Sequence, residues 1–201
     1  MSTITCVCEK SFEADIPESV ELSEDPVAYK QIIDGAFLTF TCPHCSHSIQ
    51  PDLPLRITDS SKGIDIFVVP ERERNRYLLG LTGYDSPDRI VIGYAELAEK
   101  LRIYMTDLDD SAVELLKYYL LIKAGAGFTP SIYFTGIEGN SLLFDIVGLR
   151  DDEVGRLKIG RDVYEKAAKE LPAKKDEEPY STFLEPPYVS ISKVEVEVEE
   201  E

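Results

Sequence analysis

Apolar and polar positions alternate in short bursts over the first third of the chain and gather into longer blocks beyond it. Ser2–Thr5 begins as a strand and runs into Cys6-Val7-Cys8; Phe12, Ala14 and Ile16 then alternate with polar residues as on a half-buried strand. Ser23-Glu24-Asp25-Pro26 predicts a helix start, with the serine as cap and the proline in the first turn. Val27, Ile32 and Ile33 give that helix its apolar stripe, and Gly35 its stop. Residues 36–41 predict a strand entering Cys42-Pro43-His44-Cys45. Residues 49–57 leave the motif through Pro51 and Pro54, which predicts an edge strand or a loop, because proline cannot donate to a ladder.

The middle of the chain has a different rhythm. Residues 59–63 form a turn, Ile64–Val69 a short apolar strand interrupted by Asp65, and Glu71-Arg72-Glu73-Arg74-Asn75-Arg76 the solvated first turns of a short helix. Residues 89–93 predict a strand. Helices follow over 94–105 and 111–124, with Asp110 or Ser111 as cap and Gly125 and Gly127 as stops for the second. Leu115, Leu116, Tyr118, Tyr119, Leu120, Leu121 and Ile122 nearly encircle that helix; such a helix is buried in its own domain or against a partner. Further on, residues 131–134 and 142–147 flank a hairpin turn at 136–140. A strand at 156–159 and a helix at 162–171 ended by Pro172 follow. From Ala173 the composition is that of a linker, and Val194-Glu195-Val196-Glu197-Val198-Glu199 is either a terminal strand or a disordered acidic tail.

Together these elements predict an α+β protein: an N-terminal zinc-ribbon-like element with a helical insertion, packed on a mixed α/β body with a C-terminal hairpin region. The expected organisation is a domain over 1–127, split into a ribbon-like part (1–58) and an α/β part (59–127). A small α+β region (128–172) and a linker with acidic tail (173–201) complete it.

Charge narrows the function. The 201 residues carry 21 Lys and Arg against 38 Asp and Glu, a net charge of −17. The first 55 residues hold only Lys10 and Lys30 against nine acids, a field that repels phosphate backbones and anionic lipid alike. Residues 113–126 form the densest apolar stretch, and Glu114, Lys117 and Lys123 break it well short of a membrane span. The N-terminus has neither the basic region nor the apolar core of a secretion signal, so the expected location is cytoplasmic.

In that compartment four cysteines in two close pairs argue for a metal before a disulfide. Zinc takes four thiolate or imidazole ligands at tetrahedral corners, and two pairs from separate segments supply them. Cys42-Pro43-His44-Cys45 has the spacing of a metal knuckle; Cys6-Val7-Cys8 is one residue short, and Glu9 and Ser46 stand where a turn glycine usually follows. The 33 residues between Cys8 and Cys42 require an inserted element, the helix at 26–34. Three arrangements stay open: Cys6 and Cys8 both ligate, His44 or His47 replaces one of them, or the site is empty and its cysteines pack as small apolar residues. Thioredoxin-type redox chemistry at Cys42 and Cys45 is disfavoured, since such motifs open a helix and here Pro51 and Pro54 follow.

The segments Ile4-Thr5-Cys6-Val7-Cys8, Glu24-Asp25-Pro26, Phe40-Thr41-Cys42-Pro43-His44-Cys45 and Val68-Val69-Pro70-Glu71 resemble the CpXC-domain proteins of bacteria and archaea. Leu97-Ala98-Glu99-Lys100 and Leu108-Asp109-Asp110 extend the resemblance, which covers about residues 3–127. Two Cys-Pro-x-Cys pairs define that family, and the resemblance implies bound zinc with no established activity. The second pair matches; the first lacks one residue and its proline.

No other constellation carries chemistry. Both histidines sit beside the second cysteine pair, so a Ser-His-Asp triad has almost no material. Gly125-Ala126-Gly127 and Gly136-Ile137-Glu138-Gly139 lack the lysine and hydroxyl of a phosphate loop, and Asp107, Asp109 and Asp110 lack the rest of a calcium loop. Two functional classes are expected: a protein-interaction module with one structural zinc, its partner another protein or a second copy, and a nucleic-acid-associated ribbon using Arg72, Arg74 and Arg76. An enzyme of unrecognised type is the weakest alternative.

Overall fold

The computed structural model describes residues 2–84, 87–124, 130–150 and 153–194. The chain divides into two compact units at Ala98/Glu99, earlier than the boundary after residue 127 that composition suggested. The reason lies in helix α3 (Gly93–Met105): its first residues serve the sheet of the first unit, whereas Glu99 begins the polar network of the second.

The first unit holds two small hairpins and one sheet. Strands β1 (Ser2–Thr5) and β2 (Ser11–Ala14) pair antiparallel. After β3 (Ser19–Glu21) comes α1 (Pro26–Ile33), capped by Asp25, whose carboxylate accepts from the N–H groups of Val27 and Ala28. The expected cap Ser23 instead donates its hydroxyl to Glu21. The buried face of α1 is Ala28 and Ile32, and Val27 is 62% exposed, because the actual register turns it to solvent. Gly35 (φ +72°) and Ala36 close the helix by donating to the Ile32 and Gln31 carbonyls, a Schellman arrangement. That closure, and a turn through Leu38 (φ +52°), consumes residues 36–39, so the expected strand shrinks to β4 (Phe40–Thr41), paired with β5 (Ser48–Ile49).

Beyond Pro51 and Pro54 the chain enters β6 (Leu55–Asp59), an interior strand and not an edge, since both prolines lie before the first ladder position. It pairs parallel with β3 and antiparallel with β7 (Ile64–Val69). A 3-10 turn at Glu71–Glu73 leads into α2 (Arg74–Leu78), after which β8 (Arg89–Ile92) returns parallel to β7. Leu55, Ile57, Ile66 and Val68 point to one buried face, while Arg56 and Asp65 form a bidentate pair on the other. Gly93 begins α3 with φ +72°, and a β-carbon there would lie 2.8 Å from the Glu71 carboxylate, so this strand-to-helix turn requires glycine.

The second unit packs α4 (Asp110–Ala124) and α5 (Arg161–Lys174) with the antiparallel sheet of β9 (Ser131–Glu138), β10 (Ser141–Arg150) and β11 (Glu153–Gly160), β10 in the centre. Phe134 and Phe144 face each other across β9 and β10, edge to face at 5.7 Å. The cap of α4 is Asp109, not Asp110 or Ser111: its carboxylate takes the N–H groups of Ser111 and Ala112. Asp110 is instead turned inward to Lys100. The encircled helix is largely consumed within this unit: Val113, Leu115, Leu116 and Leu121 are buried and the tyrosines partly so.

Two expectations for the C-terminal part change. Pro172 lies inside α5 and does not end it, because the helix needs only one further turn, closed by the Lys175 N–H on the Leu171 carbonyl. Residues after 173 are not a linker as far as 194: α6 (Tyr180–Leu184) and a 3-10 turn at Ile191–Lys193 bury Phe183, Leu184, Tyr188, Val189 and Ile191. The charged residues 174–178 and the prolines at 179, 186 and 187 give the region its linker-like composition. The apolar residues Phe183, Leu184, Tyr188, Val189 and Ile191 have no regular period that would mark them as buried. Gly125, Gly127 and residues 195–199 lie outside the described residues.

Burial in this unit includes ions. Lys117, 4% exposed, donates to Glu114 at 2.8 Å and to both oxygens of Glu99 at 3.0 and 3.1 Å. The remaining carboxylate capacity is filled by backbone, Phe134 N–H on Glu99 and Ile191 N–H on Glu114. Burial opposes the charge on Lys117, but the two carboxylates outweigh it and hold the ammonium above its usual range. Burial raises Glu99, and Glu114 adds to that effect. Lys100 forms a second buried pair with Asp110 at 3.0 Å and reaches the Val189 carbonyl. Among the described residues no helix is long and apolar enough to cross a membrane.

Candidate metal centre

Each cysteine pair occupies the tip of one small hairpin. The β1–β2 ladder ends at Thr5 and Ser11, leaving residues 6–10 as the first loop; the β4–β5 ladder ends at Thr41 and Ser48, leaving residues 42–47 as the second. The first loop is therefore one residue shorter, which is the residue missing from Cys6-Val7-Cys8. Both loops close in related ways. Cys6 N–H donates to Lys10 O and Glu9 N–H to Cys6 O; Cys42 N–H donates to His47 O and Ser46 N–H to Cys42 O. Glu9 and Ser46 adopt φ +66° and +61°, the left-handed conformation that a turn glycine would supply without strain.

The two tips meet. Cys6 Sγ lies 3.5 Å from Cys45 Sγ, Cys8 Sγ lies 3.8 Å from Cys42 Sγ, and all four sulfurs fall within 4.8 Å of one another. Metal–sulfur bonds of about 2.3 Å at tetrahedral corners separate the sulfurs by about 3.8 Å, so the cluster has the dimensions of a tetrathiolate site. The shortened pair reaches it because the two facing hairpins converge on one point, which does not require two cysteines of one loop to form a standard knuckle. His44 and His47 are exposed, and neither belongs to the cluster.

The electrostatics favour an anion on the second loop. Burial opposes ionisation of Cys42, but the N–H groups of His44 and Cys45 and the neighbouring thiols bring its pKa down to about 6. At Cys45 the His47 N–H works in the same sense; there the other three thiols and burial outweigh it and push the group up to about 12. Cys6 is also raised: the N–H of Cys8 and the Cys45 thiol lower it, but burial and the Cys42 and Cys8 thiols prevail. Four thiols this close cannot all ionise without a cation among them, a charge that a divalent metal would supply.

The arginines that could have formed a basic patch are largely engaged. Arg74 bridges Glu71 and Glu96, and Arg72 pairs with Asp52, whose carboxylate also receives the N–H groups of Glu71 and Arg72. Sequence inspection missed this neutralisation because Asp52 and Glu96 are some twenty residues from their partners. It also missed the buried Glu99, Glu114 and Lys117, although a lysine three residues after a glutamate on an otherwise apolar helix was a usable signal.

These features define a class first: an α+β chain whose N-terminal zinc-ribbon-like element gathers four cysteines from two facing hairpins. The family model described as CpXC protein matches residues 4–117, more than half of the chain, and the protein belongs to that family. An uncharacterized protein of Treponema pallidum (strain Nichols) is 28% identical over 192 residues, covering 85% of this chain and 88% of that one. No solved structure matches the chain.

Proposed function

We propose that the four cysteines hold one zinc ion as a structural tetrathiolate and that the protein works as a metal-stabilised protein-interaction module. The observation that carries the metal assignment is the convergence of Cys6, Cys8, Cys42 and Cys45 within 4.8 Å at two hairpin tips. Zinc fits four sulfurs without a redox demand, and closing both loops on it converts binding energy into folding energy of the N-terminal element. Nothing open for substrate is left once four protein ligands are in place, which favours structure over catalysis.

Interaction with protein is supported by Leu78 at the end of α2 and by Leu79 and Leu81 just beyond it, Leu79 being 73% exposed. Nucleic acid is disfavoured by the net charge of −17 and by the ion pairs of Arg72 and Arg74. Elemental analysis of protein purified without chelator should give one equivalent of zinc. Serine at any one of the four cysteine positions should lower that value, and alanine at His44 or His47 should leave it unchanged. Zinc near zero in the native chain refutes the metal assignment. Light scattering and capture from native lysate, beside a gel shift on DNA and RNA, test the mode of action: a strict monomer that retains no protein yet binds nucleic acid at physiological salt would overturn it.

A further inference from the structure

The four sulfurs are not equivalent toward solvent. Cys45 is exposed and Cys8 half-buried, whereas Cys6 and Cys42 are buried. Two sulfur–sulfur contacts with hydrogen-bond geometry each join one of each kind: exposed Cys45 with buried Cys6 at 3.5 Å, and half-buried Cys8 with buried Cys42 at 3.8 Å. Both contacts cross from one hairpin to the other. An accessible sulfur beside a sheltered partner is the arrangement in which the first sulfur attacks a hydroperoxide and the second resolves the product.

We propose that this cluster is an oxidation site for hydroperoxides, which convert it into two cross-hairpin disulfides, Cys6–Cys45 and Cys8–Cys42, with loss of the metal. The inference rests on the tetrathiolate assignment for the thiolate state of Cys45 and for the metal loss; the pairing follows from the placement of the sulfurs. In the first step Cys45, a thiolate when a divalent cation sits among the four sulfurs, attacks one peroxide oxygen, the O–O bond breaks, and a sulfenic acid and hydroxide form. The Cys6 thiolate then attacks the sulfenic sulfur, forming the S–S bond and expelling a second hydroxide. Cys8 and Cys42 repeat the sequence. Four thiolates lose four electrons, two molecules of hydrogen peroxide gain them, and four hydroxides and the divalent cation are released. Closing each pair requires its sulfurs to approach from the present contacts to about 2.0 Å. Because both bonds run between hairpins, the oxidised element keeps its two tips tied together after the cation has gone.

Hydrogen peroxide titration of the full-length, metal-loaded chain provides the test. Zinc release is followed with a chromogenic chelator, and disulfides are mapped by mass spectrometry after thiol blocking and digestion. The expected result is complete zinc release at two peroxides per chain, Cys6–Cys45 and Cys8–Cys42 as the principal linkages, and recovery of four titratable thiols with a phosphine reductant. Cys45→Ser should abolish the first linkage and retain the second. Linkage within a hairpin, Cys6–Cys8 or Cys42–Cys45, overturns the proposal, as does conversion to sulfinic acid without disulfides. A chain isolated without zinc that still forms the two cross-hairpin bonds refutes the metal assignment and leaves the oxidation site standing. Where Cys45→Ser does not fold, the linkage map of the native chain decides alone.

Discussion

Glu9 and Ser46 are counterparts: each holds a left-handed backbone, φ +66° and +61°, and each donates its N–H to the carbonyl of the first cysteine in its own loop, Cys6 or Cys42. The two hairpins thus solve the same turning problem although their cysteines are spaced differently. Neither side chain is required by the turn, and a β-carbon in this region costs about 1–2 kcal/mol. Glu9→Gly and Ser46→Gly should therefore each stabilise the zinc-loaded protein by about 0.5–1 kcal/mol after the entropy of the glycine is discounted. Glu9→Ala and Ser46→Ala should give no such gain. Thermal unfolding followed in all four variants checks this, and equal effects of glycine and alanine would count against it.

The buried triad of Glu99, Lys117 and Glu114 should respond asymmetrically to mutation. Lys117→Met strands two carboxylates at sites that are nearly inaccessible to solvent and should cost about 3–5 kcal/mol. Adding Glu99→Gln and Glu114→Gln to the same chain should recover a large part of that loss, since the glutamine carbonyls still accept from Phe134 and Ile191. Urea unfolding of the single and triple variants is the measurement. A triple variant weaker than Lys117→Met would show that the charges stabilise by themselves.

Tyr188 is 1% exposed in a segment whose composition is that of a linker. Cutting it to alanine should cost about 3–5 kcal/mol, as for other large aromatic cores. Proteolysis should register the change as earlier cleavage after residue 173. A loss below 1 kcal/mol would mean that the segment 185–194 docks without contributing to the fold.

Glu21 gives a pH signature. The hydroxyl of Ser23, followed by the N–H of Ser60, lowers its pKa from the ordinary 4.5 to about 2. A carboxyl depressed in the folded state contributes stability that is fully present above 4.5 and is lost as pH falls through 2. The stability difference between the native chain and Glu21→Gln should accordingly be constant from neutral pH to about 5 and shrink between 4.5 and 2. A difference that does not change over that window would show that these hydrogen bonds do not favour the ionised form.

What the sequence by itself determined is local. Residue spacing was enough for the strand at Ile64–Val69, for helices α3 and α4, for the hairpin of β9 and β10, and for two cysteine pairs suited to one metal. Each rests on a period or a ligand spacing contained in a few consecutive residues. Tertiary structure decided the rest. Cys6 and Cys45 are 39 residues apart, and only the convergence of two hairpins makes a pair with one intervening residue as useful as a pair with two. Asp25 and Asp109 won their caps over nearby serine and aspartate because backbone register, not residue type, selects the oxygen that reaches the free N–H groups. Lys100, Lys117 and the side chains of Phe183, Leu184, Tyr188, Val189 and Ile191 went inside because part of what surrounds them comes from other segments, Val189 for Lys100 and Glu99 for Lys117. Burial is a property of the assembled chain, and a charge or a sparse apolar residue shows its place only when the groups that satisfy it have been brought alongside.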